Sequence, residues 1–239
     1  MLAALGYGLL AASSLVLGAG LALVRPWPAR AVGLVLAFGA GALISAVSFE
    51  LAGEGLAVGS PGAVAGGLAA GALAFFFLDG LVSGGGRGRP GRKQSEDPGN
   101  SLALGALLDG IPEQLVLGLG LAGGEGVGVG LLVAIYVSNL PEGIGSAADM
   151  RKAGRSRGSV LWLWLRVALV CTAATLAGYG LGDMTSGEFR AVIDGFAAGA
   201  LLVMLVDSMV PEARKDGGRT AGLATVLGFA LATGLSALS

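Results

Sequence analysis

The sequence contains no histidine. That removes the side chain most often used as a general base near neutral pH and as a nitrogen ligand for metals. A serine-histidine hydrolase is therefore excluded. A single cysteine, Cys171, excludes a disulfide framework and a thiolate metal cluster. Set in an apolar run, it reads as a small buried hydrophobe. Charge is scarce too: 13% of the residues are charged, with 15 basic against 16 acidic side chains. A soluble domain carries about twice that fraction.

What is abundant explains what is missing. Hydrophobic residues make up 54% of the 239, mean hydropathy is +0.79, and 45 glycines lie largely inside apolar runs. Interior glycines weaken helices in water but let helices approach closely in lipid. The composition predicts an all-α polytopic membrane protein, with the lipid bilayer as its first partner and no nucleic-acid partner.

A membrane-spanning helix needs roughly 20 mostly apolar residues. Eight windows qualify: 2–24, 31–52, 61–83, 101–121, 127–149, 159–181, 189–210 and 220–238. Between them stand turn and charge signals such as Arg25-Pro26-Trp27-Pro28 and Gly59-Ser60-Pro61. The longest break, 84–100 (GGGRGRPGRKQSEDPGN), has no periodicity and reads as a flexible cytoplasmic loop. Alternating the windows puts every basic residue except Arg166 and Arg190 on one side. The positive-inside rule makes that side cytoplasmic and both termini extracytoplasmic. No Lys or Arg precedes the first apolar run, so residues 2–24 read as a retained span rather than a signal peptide.

Two internal repeats organise these windows. Residues 37–55 (AFGAGALISAVSFELAGEG) align with 195–213 (GFAAGALLVMLVDSMVPEA), matching Phe38 with Phe196, Gly41 with Gly199 and Glu54 with Glu212. These are the second and seventh windows, which run in opposite directions. An inverted repeat, windows 1–3 against 6–8, is expected. Residues 107–118 (LLDGIPEQLVLG) align with 136–147 (YVSNLPEGIGSA), matching Pro112 with Pro141 and Glu113 with Glu142. The expected plan is 3+2+3: residues 1–83, the loop, a central pair at 101–149, and 150–239, forming a single transport domain.

The central pair carries the chemistry. Asp109 and Glu113 are four residues apart on one helix face, as are Ser138 and Glu142, with Asn139 adjacent. Each proline withdraws a hydrogen-bond donor, freeing the carbonyls of Leu108 and Val137. Carboxylates beside freed backbone oxygens at membrane depth are how transporters bind cations. An acidic residue at a helix centre costs about 2.5–3.5 kcal/mol, so three unpaired would cost on the order of 8–10 kcal/mol. That rivals a domain's net stability, so something positive must neutralise them. The one internal base is Arg166, in VLWLWLRVALVC (160–171), which reads as a counter-ion to Glu142 or Glu113.

These features resemble the ZIP (ZRT/IRT-like protein) family of divalent metal transporters. The likeness covers nearly the whole chain: eight spans, outward termini, a long cytoplasmic loop after the third span and paired Pro-Glu motifs. Ser138-Asn139-Leu140-Pro141-Glu142-Gly143 is similar to that family's HNxPEG motif, and Asp109-Gly110-Ile111-Pro112-Glu113-Gln114 to its weaker counterpart. The resemblance implies metal ligands at Asp109, Glu113, Ser138, Asn139 and Glu142, with Gly110 supplying no side chain. It implies uptake toward the cytoplasm by alternating access, spans 1, 4, 5 and 6 moving against the rest. It also implies a homodimer, location in the plasma (inner) membrane, no catalytic activity and no cofactor beyond the transported metal.

Asp109 and Ser138 stand where histidines are usual, pointing to a single all-oxygen site. Such a site leans toward Mn²⁺, Fe²⁺ or Mg²⁺ over Zn²⁺. Further acids line an expected pathway: Glu50 and Glu54 at the outer end, Asp207 and Glu212 at the inner end, with Asp79 near the cytoplasm. The alternative is a ZIP-like chain with altered or lost metal transport, serving as a sensor or carrying another cation or protons. Gly180-Leu181-Gly182-Asp183 resembles the GxGD motif of intramembrane aspartyl proteases, but Asp183 lies at a span end without a facing partner aspartate.

Overall fold

In hydrocarbon, backbone N–H and C=O groups must find partners within their own segment, so apolar stretches of this length fold as helices. A computed structural model of the chain describes residues 1–83, 98–122, 129–182 and 187–237. The side chains at 82, 83, 98–106, 108, 109 and 129 lie outside the description. So does most of the expected cytoplasmic loop, of which only 98–100 are described, as the start of a helix.

No strand occurs among the described residues. The helices are α1 (Leu2–Val24), α2 (Ala29–Ala46), α3 (Ala52–Val58), α4 (Pro61–Ser83), α5 (Pro98–Ala122), α6 (Val129–Lys152), α7 (Arg157–Gly182), α8 (Gly187–Met204), α9 (Val210–Gly217) and α10 (Ala221–Ser236). Two π-helical segments, Val47–Leu51 and Leu205–Met209, join α2 to α3 and α8 to α9. Six helical runs are long and apolar enough to cross a membrane by length and composition, and Gly110–Ala122 is a shorter apolar helix. Large apolar side chains such as Phe76, Phe77, Leu81, Trp162, Leu169 and Leu223 point outward. A water-soluble surface rarely tolerates that much exposed hydrocarbon.

Two ends differ from expectation. The helix beginning in the second window runs on to Val58 rather than 52, and the one in the seventh to Gly217 rather than 210. Hydropathy falls at Glu54 and at Glu212 to Lys215, but a helix leaving hydrocarbon has no reason to unwind there. The breaks themselves are local. Ser60 accepts from the Ala63 N–H (3.2 Å) at the start of α4, and Glu188 accepts from the Ser60 hydroxyl (3.0 Å). Gly218, at φ 63°, takes the left-handed conformation that stops the rod before α10.

Packing follows the small residues. α2 lies along α10, α8 along α4, α1 along α6 and α7 along α5. Exchanging the first three windows for the last three would interchange these pairs. A Cβ at Gly41 would fall on the Thr225 carbonyl oxygen of α10, and one at Gly199 on the Leu68 carbonyl oxygen of α4. Reciprocally, Gly228 meets the Phe38 carbonyl and Gly71 the Phe196 carbonyl. The two π-helical segments occupy identical places in the aligned stretches 37–55 and 195–213.

Candidate functional site

Pro112 and Pro141 both lie inside uninterrupted helices, α5 and α6. Lacking an N–H, neither can bond the carbonyl one turn earlier, so Leu108 and Val137 keep backbone oxygens that the helix does not use. One residue beyond each proline stands a carboxylate. Glu113 is 1% exposed, and Glu142 is half-buried.

A third helix ties the two together. The Cys171 Sγ of α7 packs against Gly110, where a Cβ would lie 2.8 Å from the sulfur. The same thiol, fully buried, is within electrostatic range of both Glu113 and Glu142. Gly110 matters here because it has no side chain: any larger residue would displace the sulfur.

The wall contributed by α6 is polar and buried. The Ser138 hydroxyl donates to the Ile135 carbonyl (3.1 Å), and its backbone is crossed closely by Gly39 of α2, where a Cβ would lie 2.8 Å from Ser138 Cα. Asn139 is 1% exposed, yet neither its amide oxygen nor its nitrogen has a hydrogen-bond partner among the described residues. Leaving such groups dry and unpaired costs about 1–3 kcal/mol each, which marks Asn139 as a group awaiting a partner. On α5, the Gln114 Oε1 accepts from the Thr175 hydroxyl (2.5 Å), while its Nε2 has no partner among the described residues. Asp109 lies on α5, but its side chain is outside the described residues. Among the described residues no three His, Cys, Asp or Glu side chains gather closely enough to hold a metal ion.

Arg166 corrects an expectation. It is exposed, on the same stripe of α7 as Trp162, Leu165, Leu169 and Val170, and makes no ion pair among the described residues. The buried stripe of that helix runs through Trp164, Val167, Ala168 and Cys171. Helical phase thus turns position 166 away from the carboxylates, and a long Arg side chain can snorkel toward an interface.

The pathway acids scatter. Glu50, in the first π-helical segment, accepts from the Leu131 N–H (3.0 Å) and hydrogen-bonds the Ser236 hydroxyl. Glu54 pairs with Arg190 (3.4 Å), whose Nε is 3.8 Å from the Asp194 carboxylate. Asp207 is exposed in the second π-helical segment, and Asp79 is half-buried on α4. Glu212 lines a cavity of about 290 Å³ with Arg25, Asp149, Lys152, Lys215 and Asp216. Asp183 falls outside the described residues. Sequence reading assigned no role to Cys171 or Gln114, and did not single out Asp194. Cys171 is buried, as a small residue in an apolar run should be, but the helix has too little amphipathicity to show which neighbour it faces.

Comparison with known proteins gives the family. The family model described as ZIP Zinc transporter matches residues 93–236, covering both Pro-Glu motifs. An Arabidopsis thaliana protein named "Putative zinc transporter" is 29% identical over 189 residues, 77% of this chain. The match spans 30% of that relative's length.

Proposed function

The chain belongs to the ZIP zinc transporter family and is a multi-pass integral membrane protein, and on that premise we propose that it carries divalent metal ions toward the cytoplasm by alternating access. The cargo binds between α5 and α6, with Asp109, Glu113, Ser138, Asn139 and Glu142 as its ligand set. The observation that carries this reading is the pair of Pro-Glu motifs inside α5 and α6, with Glu113 and Asn139 both buried. Freed carbonyls at Leu108 and Val137 extend the donor set.

In the same reading the chain crosses the membrane eight times, both termini outside, as a 3+2+3 inverted repeat in the plasma membrane. The interchangeable helix pairs and the matched π-helical segments support that plan. α1, α5, α6 and α7 move as one body against α2, α4, α8 and α10, and two copies of the chain associate. The test is metal-dependent flux in proteoliposomes holding the full chain. Zn²⁺ or Mn²⁺ uptake should be present in the wild type and abolished by Glu113→Ala and by Glu142→Ala. Uptake surviving both substitutions would refute the carboxylate site.

One observation favours a second reading. With no histidine and no preassembled acidic or thiol cluster among the described residues, the chain could sense metal, or pass another cation or protons. Metal binding without metal flux would select it.

A further inference from the structure

Glu50 was grouped with the acids of an outer access path, but its carboxylate is already engaged. Glu50 Oε2 accepts from the Leu131 N–H at 3.0 Å, and Oε1 takes the Ser236 hydroxyl. Leu131 is in the first turn of α6, where backbone N–H groups have no acceptor within the helix. A carboxylate there gains both a charge-assisted hydrogen bond and the favourable end of the helix dipole. The cap comes from another helix altogether, across the contact between α2 with its π-helical extension and the helix that bears Ser138, Asn139 and Glu142.

Three features fit the position to this task. The π-helical segment Val47–Leu51 shifts the helical register at Glu50, and such segments concentrate at functional places in helices. Gly130 leaves the space the carboxylate needs: a Cβ there would fall on Glu50 Oε1 and on the Ser236 hydroxyl. Ser236 belongs to α10, which is tied to α2 a little deeper by the Ser45–Thr233 hydroxyl pair (2.8 Å). Glu50 therefore joins the α2/α10 pair to the first turn of α6 at one end of the molecule.

We propose that Glu50 is a positioning residue, a clasp that holds one end of the bundle closed by capping α6 from the neighbouring helix pair. Opening that end requires the Glu50 carboxylate to leave the Leu131 N–H and the Ser236 hydroxyl. The inference rests on the alternating-access reading for its role in transport, but the clasp itself is testable without metal.

The lone cysteine supplies the readout, because Cys171 is fully buried beside Glu113 and Glu142 and reacts only when that region opens. The rate at which a charged methanethiosulfonate reagent modifies Cys171 is measured in the purified full chain, with amide exchange at Leu131 followed in parallel. Loss of a helix cap multiplies an opening equilibrium by about 5–30-fold. Glu50→Ala should raise both rates by about that factor. Glu50→Gln, which keeps an acceptor oxygen without the charge, should fall between it and wild type. Gly130→Ala, which displaces the carboxylate, should behave like Glu50→Ala. Should Glu50→Ala not fold, Glu50→Gln and Ser236→Ala carry the test.

Unchanged labelling in folded variants overturns the proposal. So does faster exchange at Leu131 with unchanged labelling, which reduces Glu50 to a static cap. Zn²⁺ flux separates the two readings. Raised labelling with no flux in wild type sinks the transport reading and leaves the clasp. Flux in wild type with labelling unmoved sinks the clasp alone.

Discussion

Placing alanine at Gly41 and at Gly199 tests the relation between the two halves of the chain. Each new Cβ would land on a backbone carbonyl oxygen of the facing helix, Thr225 in one case and Leu68 in the other. A flexible side chain could swing aside, but a helix backbone cannot, so the two rods must separate along their length. Overpacking of this kind costs about 1–3 kcal/mol, and the close Cα–H···O approaches that glycine permits are lost as well. For a chain of this size each kcal/mol moves the midpoint by about 2–4 °C, giving a drop of roughly 2–12 °C per substitution. Gly20→Ala and Gly66→Ala serve as controls, since nothing lies within 4 Å of a Cβ at either position. There alanine should be neutral or stabilising, because it restricts the unfolded chain. Thermal unfolding of the purified full chain, followed by the unmasking of Cys171 to a thiol-reactive dye, gives the midpoints. Gly41→Ala and Gly199→Ala should lower them by similar amounts, and together by the sum, since the two contacts share no partner. If either matches the controls, or if one is costly and the other neutral, the equivalence of the halves is wrong.

Two further outcomes concern the site. Arg166→Gln and Arg166→Glu should leave metal affinity within about twofold, the usual range for an exposed position; tighter binding in Arg166→Glu, measured by calorimetry, would restore its role as counter-ion. Cys171→Ser removes the sulfur but keeps the size, and should leave the preference between Zn²⁺ and Mn²⁺ within about twofold, since no three acidic or thiol side chains gather to hold a metal among the described residues. A competition assay with both ions checks it, and a loss of Zn²⁺ preference by about tenfold would put the thiol in the binding shell.

The helical extents were legible because the bilayer imposes a single demand. Runs such as 2–24 and 61–83 appear as α1 and α4 with the expected ends, since Pro26, Pro28 and Ser60-Pro61 cannot continue a buried rod. Where charge ends a run without a breaker, as at Glu54 and Glu212, hydropathy marks the end of apolarity while the helix continues. The π-helical segments were invisible for a related reason. An added residue in a helical turn changes neither composition nor apolar periodicity over so short a stretch, and only the matched alignment of 37–55 with 195–213 shows, afterwards, that they belong to both halves.

Side-chain direction around the Pro-Glu motifs was harder to read than helix extent. The Pro-Glu motifs fix position along α5 and α6, and the i, i+4 spacing fixes which residues share a face. Neither says which helix faces them. On α7 the apolar residues go nearly all the way round, so the sequence offers no polar stripe from which to deduce that Cys171 turns inward and Arg166 outward. Charge draws Arg166 toward the carboxylates in a reading from sequence, whereas Cys171 reads as a small buried hydrophobe and is buried. Packing fixes the phase of α7: Gly110 leaves room for the Cys171 sulfur, 2.8 Å from where a Cβ would lie, and Arg166 falls on the exposed side. The same logic reassigns Glu50. A carboxylate near the end of a span looks like the mouth of a path until a neighbouring helix presents an uncapped N–H, and then the nearest positive group is the backbone of α6 itself. In a chain this poor in charge, each ionised group is drawn to whichever dipole or ion comes within reach, and for Glu50 that is the first turn of α6.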